Sequence, residues 1–221
     1  MRDIRVLVAC EYSATVRDAF RARGFDAWSC DLLPTEGDPQ WHFEGDVLDC
    51  LGGGIVSSTH SNPYHWDLLI AHPPCTYMTN SGVCHLHTDP TRWEKLDAAA
   101  KFFRALWDSP VPHVAIENPV MHKYAKERIG GLQQAQTIQP YHFGHKEQKA
   151  TCLWLRGLPK LRHTTDLKQE TMALPARERQ RLHYLPPSPD RWKIRSTTYQ
   201  GIADAMAKQW GDFLTDYRRA S

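Results

Sequence analysis

One cysteine is set apart by what precedes it. In the stretch Asp67-Leu-Leu-Ile-Ala-His-Pro-Pro-Cys-Thr-Tyr-Met-Thr-Asn-Ser-Gly82, an apolar run leads straight into two prolines and Cys75. Proline fixes its own φ and has no N–H to satisfy, so Pro73 and Pro74 make a rigid turn that holds the Cys75 thiol at a strand's carboxyl end. A nucleophile would be presented from such a place. A second apolar run, Val114-Ala-Ile, ends in Glu117-Asn118-Pro119. It brings a carboxyl group to another strand end, where it could handle a proton. Plainer readings exist for each. Cysteine is often just a small buried residue. Asn118 could cap a helix that starts after Pro119, which accounts for Asn118 but not for Glu117. Cys75, Cys84, His85 and His87 could also be read as metal ligands, but they lack the paired Cys-x-x-Cys knuckle of structural zinc, and no metal is expected.

The elements that must position these groups follow from the apolar pattern. Residues 4–9 read as a buried strand and residues 15–23 as a helix through Val16, Ala19 and Phe20, stopped by Gly24. Further strands are predicted at 26–30, 67–72, 113–117, 137–141 and 151–155. The clearest helix, 92–107, carries a stripe of Leu96, Ala99, Ala100, Phe103 and Trp107, and a closing helix is predicted over 201–214 through Ile202, Ala205, Met206, Trp210 and Leu214. Strands alternating with helices, several of them apolar throughout, predict an α/β fold: a mainly parallel sheet with helices on both faces. Such folds bind ligands at the carboxyl ends of their strands. Residues 158–192, which contain Pro159, Pro175, Pro186, Pro187 and Pro189, break the alternation and read as an irregular insertion; residues 51–62, rich in Gly and Ser, read as a loop.

Composition narrows the classes further. At 221 residues and 41% hydrophobic content, the chain suits one core and a single domain over 1–221. No apolar run approaches the roughly 18 residues of a membrane span, and the N-terminus lacks a signal peptide's pattern, so a soluble cytoplasmic protein is expected. Cys10, Cys30, Cys50, Cys75, Cys84 and Cys152 are scattered without close pairing and read as thiols. Net charge is only +2, yet residues 156–195 hold ten Lys or Arg against four Asp or Glu. A basic segment on a mildly acidic body could contact phosphate; a solvated loop is the plainer reading.

The Pro73-Pro74-Cys75 turn after a short apolar strand and the strand ending in Glu117-Asn118, in that order, resemble the two hallmarks of the cytosine-C5 methyltransferase family. The resemblance runs from about residue 4 to 212 and is similar to a compact group found in phage-type genomes. It implies a Rossmann-like methyltransferase fold, S-adenosylmethionine as cofactor, and a bacterial or phage-infected cell as the setting. It further implies that Cys75 adds to carbon 6 of a cytosine while Glu117 handles ring nitrogen N3. For Glu117 to donate a proton there, its pKa must be raised by burial or by the substrate. The family's Gly-rich turn corresponds to Ala9-Cys10-Glu11-Tyr12-Ser13-Ala14, which has no glycine. The resemblance places Asp31 at the ribose hydroxyls and Asp46, in Gly45-Asp46-Val47-Leu48, near the adenine amino group, where carboxylates accept from ligand donors. With Cys10, Glu11, Tyr12, Ser13, Leu32, Val47 and Pro73 these make up the expected cofactor wall. Residues 141–155 align with the family's Gln-x-Arg-x-Arg strand and put Glu147, Lys149 and Thr151 at its three positions; only Lys149 keeps the charge. Pro74, Asn118, Lys149 and Thr151 form the expected substrate wall, and Tyr199 to Ala207 resembles the helix beside the cofactor.

In DNA-acting members, the interval filled here by 156–195 recognises the target. A base must leave its stack before a thiolate can reach it, and a short basic loop could hold phosphates while reading little sequence. DNA is therefore the expected partner, with a protein partner or a homo-oligomer as aids; a free cytidine nucleotide or RNA would suit the same chemistry. Two other classes stay open. One is a non-catalytic binding module, suggested by the glycine-free turn. The other is amino methylation, disfavoured because Cys75 stands where that chemistry uses an aromatic residue.

Overall fold

The computed structural model describes residues 3–51 and 65–220, so nearly all of the Gly- and Ser-rich loop expected at 51–62 lies outside the described residues. Seven strands, β1 (Arg5–Ala9), β2 (Asp26–Asp31), β3 (His42–Glu44), β4 (Leu68–Ala71), β5 (His113–Pro119), β6 (Gln136–Ile138) and β7 (Thr151–Arg156), form one sheet in the order β3-β2-β1-β4-β5-β7-β6. All neighbours from β3 through β5 are parallel, and β7 runs antiparallel to both β5 and β6. Among the described residues the helices are α1 (Thr15–Arg21), α2 (Val47–Leu51), α3 (Asn80–Val83), α4 (Thr91–Trp107), α5 (Lys123–Arg128), α6 (Lys168–Ala173), α7 (Ala176–Arg179), α8 (Arg191–Ser196) and α9 (Gln200–Ala220). The protein has the expected Rossmann-like α/β fold.

The central strands are apolar throughout because both faces are covered. Register aligns Leu7, Leu69 and Val114 across β1, β4 and β5, with Val8, Ile70 and Ala115 one residue on. The first row packs with Leu96, Phe103 and Leu106 of α4 on one face; the second packs with Phe20 of α1 and Ile202, Met206 and Trp210 of α9 on the other. Each of the large side chains is fully or almost fully buried, and each such burial stabilises the fold by about 1.5–3 kcal/mol. The α4 stripe is rotated slightly from expectation: Leu106 is buried, whereas Trp107 and Ala99 are only half-buried.

Strand order reverses at β1, since the chain moves outward through β2 and β3 and then returns to place β4 on β1's other side. A crevice opens outside the carboxyl ends of strands at such a switch point. The turns after β1 and β4 face each other across it.

Several expectations change in detail. The strand expected at 137–141 stops at Ile138, because Pro140 opens a 3-10 turn over Pro140–His142. Residues 158–192 are irregular over most of their length, as expected, but also hold α6, α7 and the first two residues of α8. Pro175 immediately precedes α7, and Pro186, Pro187 and Pro189 fall between α7 and α8. Proline is tolerated at a helix start, so these residues punctuate short helices instead of preventing them. The closing helix begins at Gln200 and continues to Ala220. Among the described residues no helix is long and apolar enough to cross a membrane.

The start of α9 depends on a close backbone approach. The Gly201 N–H donates to His145 Nε2 at 3.0 Å, and a Cβ at position 201 would lie 1.9 Å from the Phe143 carbonyl oxygen. Gly201→Ala is therefore expected to destabilise the protein by about 1–3 kcal/mol, the usual range for overpacking, and to lower Tm by several degrees in thermal unfolding. An unchanged Tm would show that position 201 has room for a methyl group.

Candidate active site

A cleft of about 1100 Å³ occupies the crevice at the switch point. A side cavity of about 100 Å³ shares its wall at Cys10, His72, Pro73, Cys75 and Lys149, and also reaches Glu11 and Glu117. The larger volume sits at the upper end of what ligand sites usually enclose.

Three strand ends build this site. After β4, the His72 N–H still donates to the Ala9 carbonyl at 3.0 Å, extending the β1–β4 ladder by one residue before the prolines end it. The Pro73 carbonyl accepts from Asn118 Nδ2 of β5 at 3.2 Å. The Cys75 carbonyl accepts from the N–H groups of Met78 and Thr79 at 3.0 and 3.2 Å, closing the turn. Cys75 is thereby fixed, half-buried, on the cleft wall. From β5, Glu117 reaches across so that its Oε2 lies 2.8 Å from His72 Nδ1.

The turn after β1 takes a path that glycine would ordinarily supply. Cys10 and Ala14 have φ of 58° and 62°, in the left-handed region that costs an L-residue about 1–2 kcal/mol. Glu11 between them is buried, and its two carboxylate oxygens accept from the N–H groups of Val16 and Arg17 at 2.7 and 3.1 Å. These are orphan donors at the start of α1. Side-chain capping from within the turn thus stands in for glycine's freedom.

The expected site residues separate into three groups. Cys10, Tyr12, Asp31, Pro73, Pro74, Cys75 and Lys149 line the cleft, while Glu11, Ser13 and Glu117 line the side cavity. The others lie off both walls. Leu32 is 75% exposed, and Val47 is buried in the core beside Cys30 and Cys50. Asp46 Oδ1 accepts from the Leu48 N–H at 2.9 Å, so this carboxylate serves the start of α2. Asn118 is buried and braces Pro73 from behind, and Thr151 is buried at the start of β7, where its hydroxyl donates to the Lys149 carbonyl. Glu147 accepts from the Tyr199 hydroxyl at 2.8 Å and from Arg181 at 2.9 Å. Sequence reasoning passed over His72, Arg92, Gln139, Gln148, Trp192 and Arg195, all on the cleft wall. For His72 a signal was present: an ionisable side chain directly after four apolar strand residues. The others come from segments with no strand-end motif.

Cys84, His85 and His87 are not gathered with Cys75 as a ligand set. Among the described residues, the grouping that could hold a metal is His142, His163 and Asp166, none of which lines the cleft. Its two imidazoles stack face to face at 3.6 Å.

Charge organises the cavity. Burial would favour a neutral Glu117, but the hydrogen bond and charge of His72 outweigh it and hold the carboxyl below the usual glutamate range. Burial likewise opposes a charged His72, and Glu117 together with Glu11 overcomes it, raising the imidazole above the usual histidine range. Glu117 is therefore shifted away from the raised pKa that proton donation requires, and the contact favours the imidazolium–carboxylate form of the pair. Burial, then the charge of Glu117, pushes the Cys75 thiol up, while Lys149 and Arg195 pull it down. Burial with Asp31 and Asp46 pushes Cys10 up to about 12, which makes it inert.

Neither a family model nor a curated protein matches this sequence. Solved structures similar to it include an E. coli protein described as a DNA modification methyltransferase encoded within a prophage, at 14% identity over 78% of this chain and 56% of that one, with a TM-score of 0.45. The Entamoeba histolytica methyltransferase EhMeth is 13% identical over 75% of this chain and 58% of that one, with a TM-score of 0.40. The S. pombe Dnmt2 methyltransferase is 12% identical over 70% and 49%, with a TM-score of 0.43. The chain spans about half the length of each of these three structures.

The electrostatics around Cys75 can be read by alkylation. At neutral pH, iodoacetamide is expected to label exposed Cys84 before Cys75. Removing the anion in Glu117→Gln lowers the Cys75 pKa and speeds its labelling, and removing the cation in Arg195→Ala, which leaves the backbone anchor of α8 in place, slows it. Each change reaches up to about tenfold, the effect of one pKa unit on a thiolate fraction. Peptide mass spectrometry over time gives the rates. Equal rates in all three proteins would mean that neither charge reaches the thiol.

Proposed function

We propose that this protein transfers a methyl group from S-adenosylmethionine to carbon 5 of cytosine in DNA, with Cys75 as the covalent nucleophile. The observation that carries this reading is the convergence of Cys75 and Glu117, from separate strand ends, on one small cavity beside the turn after β1. Packing alone gives no reason for a thiol, a carboxylate and an imidazole to meet there.

The residues present fit S-adenosylmethionine. Asp31 is a half-buried carboxylate on the cleft wall, with one oxygen accepting from the Leu33 N–H at 3.0 Å. A carboxylate only accepts, as ribose hydroxyls require. Tyr12 and Ser13 of the strained turn would flank the amino acid end of the same ligand. When bound, S-adenosylmethionine supplies a methyl group activated by a sulfonium centre.

The chain's own groups supply the rest. Carbon 5 of cytosine is a poor nucleophile until a thiolate adds to carbon 6. Cys75 is held by its turn for that addition, and the positive charges of Lys149 and Arg195 favour its thiolate. Addition is easier when an acid protonates ring nitrogen N3, and the His72–Glu117 pair carries a proton on the same cavity wall. His72 and Glu117 are only 11% and 14% exposed, and that burial strengthens the charge interaction between them. The basic segment contributes Arg191 and Arg195 to the cleft wall, where cations suit a phosphate-bearing substrate.

The test is to express the protein and its Cys75→Ala variant in cells lacking cytosine methylation, digest total DNA and RNA, and quantify modified cytidines by mass spectrometry. 5-Methylcytosine in DNA is expected with the intact protein, falling to background in the variant. Product that persists in Cys75→Ala would remove the thiol from the chemistry, and product in RNA alone would move the substrate from DNA to RNA.

A further inference from the structure

We infer that His72, held by Glu117 through Nδ1, is itself the acid at the pyrimidine ring nitrogen, acting from Nε2; Glu117 positions it. This rests on the cytosine-C5 reading above and reassigns one of its roles.

The geometry separates the two nitrogens. His72 sits one residue beyond β4, with its backbone N–H still in the ladder. Its side chain is only 11% exposed, so the ring has little room to turn. Nδ1 is committed to Glu117 Oε2 at 2.8 Å. Nε2 is buried, has no hydrogen-bond partner, and belongs to a ring that lines the cavity shared with Cys75. A buried donor without a partner costs about 1–3 kcal/mol. An acceptor that displaced the atoms now covering Nε2 would relieve that cost. A carboxylate that fixes one imidazole nitrogen so that the other can exchange a proton is a known arrangement in nucleophilic catalysis.

The ionisable groups around the ring favour this division of labour. Glu117 from β5 and Glu11 from the turn after β1 favour a charged His72, opposed by Lys149 from the approach to β7, although burial raises Glu11's own pKa and weakens its share. Cys10, Cys75 and Arg195 of α8 complete the ionisable groups of the same cavity wall. Glu11 is immobilised by its two backbone N–H donors. The short contact at Nδ1 thus favours a proton on the imidazole over one on Glu117.

The step balances as follows. Cys75 loses its thiol proton to water. The sulfur lone pair then forms the S–C6 bond, the C5–C6 π pair moves to C4–C5, and the C4–N3 π pair moves onto N3, which takes the proton from His72 Nε2. The imidazolium becomes a neutral imidazole that keeps its Nδ1–H on Glu117. Once a methyl group has been delivered to carbon 5, N3 returns its proton to Nε2; loss of the C5 proton to water then lets the C5–H pair reform the C5–C6 π bond while the S–C6 pair leaves with Cys75 as thiolate. Glu117 stays ionised throughout and can accept from the exocyclic amine.

The assignment fixes the sign of a pH effect. His72 must be protonated and Cys75 ionised, so kcat/KM rises with pH, reaches a plateau and then falls on the alkaline side. The experiment measures labelled methyl transfer to a cytosine-containing oligonucleotide against pH for the intact protein, His72→Gln and Glu117→Gln, with thermal unfolding recorded for each. His72→Gln is expected to lose about 10²–10⁴-fold in kcat, with little change in KM, and to lose the falling alkaline limb. Glu117→Gln is expected to be slower but to keep that limb. The reverse pattern, with the limb retained in His72→Gln or absent from Glu117→Gln, overturns the assignment and returns the acid to Glu117. If His72→Gln does not fold, the limb in Glu117→Gln alone decides. An intact protein that transfers no methyl group overturns the cytosine-C5 reading and this inference with it.

Discussion

The hydrogen bond between His72 and Glu117 is the contact on which the rest of the site depends. It joins the ends of two neighbouring parallel strands on the face that packs against α1 and α9, where Ile70 and Ala115 are wholly enclosed. An ionised carboxylate left alone there would cost several kcal/mol, and so would a lone imidazolium. Together they are tolerated, and only in this register. The pairing of Ile70 with Ala115 sets Glu117 two residues beyond its strand's enclosed stretch and His72 two beyond its own. A one-residue slip would send one of them to the α4 face. The apolar sheet is thus the device that holds a polar pair in register.

The same economy governs the first turn. With glycine, the backbone could bend after β1 at no steric cost. Here Cys10 and Ala14 bear that cost, and the carboxylate of Glu11 offsets it by satisfying the first N–H groups of α1. Glu11 also faces His72. One buried acid therefore caps a helix, secures a strained turn and biases a proton in the adjacent cavity. A glycine-rich turn would do the first two jobs by different means and leave the third undone.

How much of this was legible in the sequence depended on whether a feature was local. The apolar runs of β1, β4 and β5 and the stripes of α4 and α9 were plain, because burial on both faces of a sheet or one side of a helix leaves a periodic record. The Pro73-Pro74-Cys75 turn and Glu117 could be found for the same reason: each ends a readable strand. β3, with only His42, Phe43 and Glu44, left no such record. The short helices α6 and α7 were hidden because proline density is ambiguous between a loop and a series of helix starts. His72 was visible but silent, since its partner Glu117 lies on another strand and only the fold brings them together. Asn118 was found at a readable strand end and Asp46 only through the family resemblance, and neither signal could tell a side chain facing a ligand from one supporting the backbone beside it.

The basic segment shows how backbone anchoring and side-chain chemistry can be divided. α8 is attached through its carbonyls: that of Lys193 accepts from the Tyr12 hydroxyl at 3.0 Å, and that of Arg195 from Lys149 Nζ at 2.8 Å. Tyr12 belongs to the turn after β1 and Lys149 to the approach to β7, so the segment bridges both sides of the crevice. Because carbonyls make these contacts, the side chains of α8 are not consumed by them. Trp192 and Ile194 remain about half exposed, with Trp192 against Tyr12 at 5.6 Å between ring centroids. A helix of six residues has little stability of its own, so those anchors, with Arg191 donating to the Leu185 and His183 carbonyls, help to fix its position over the cleft. Tyr12 and Lys149 therefore do more than line a wall: they hold in place the segment whose cations and aromatic ring face whatever enters.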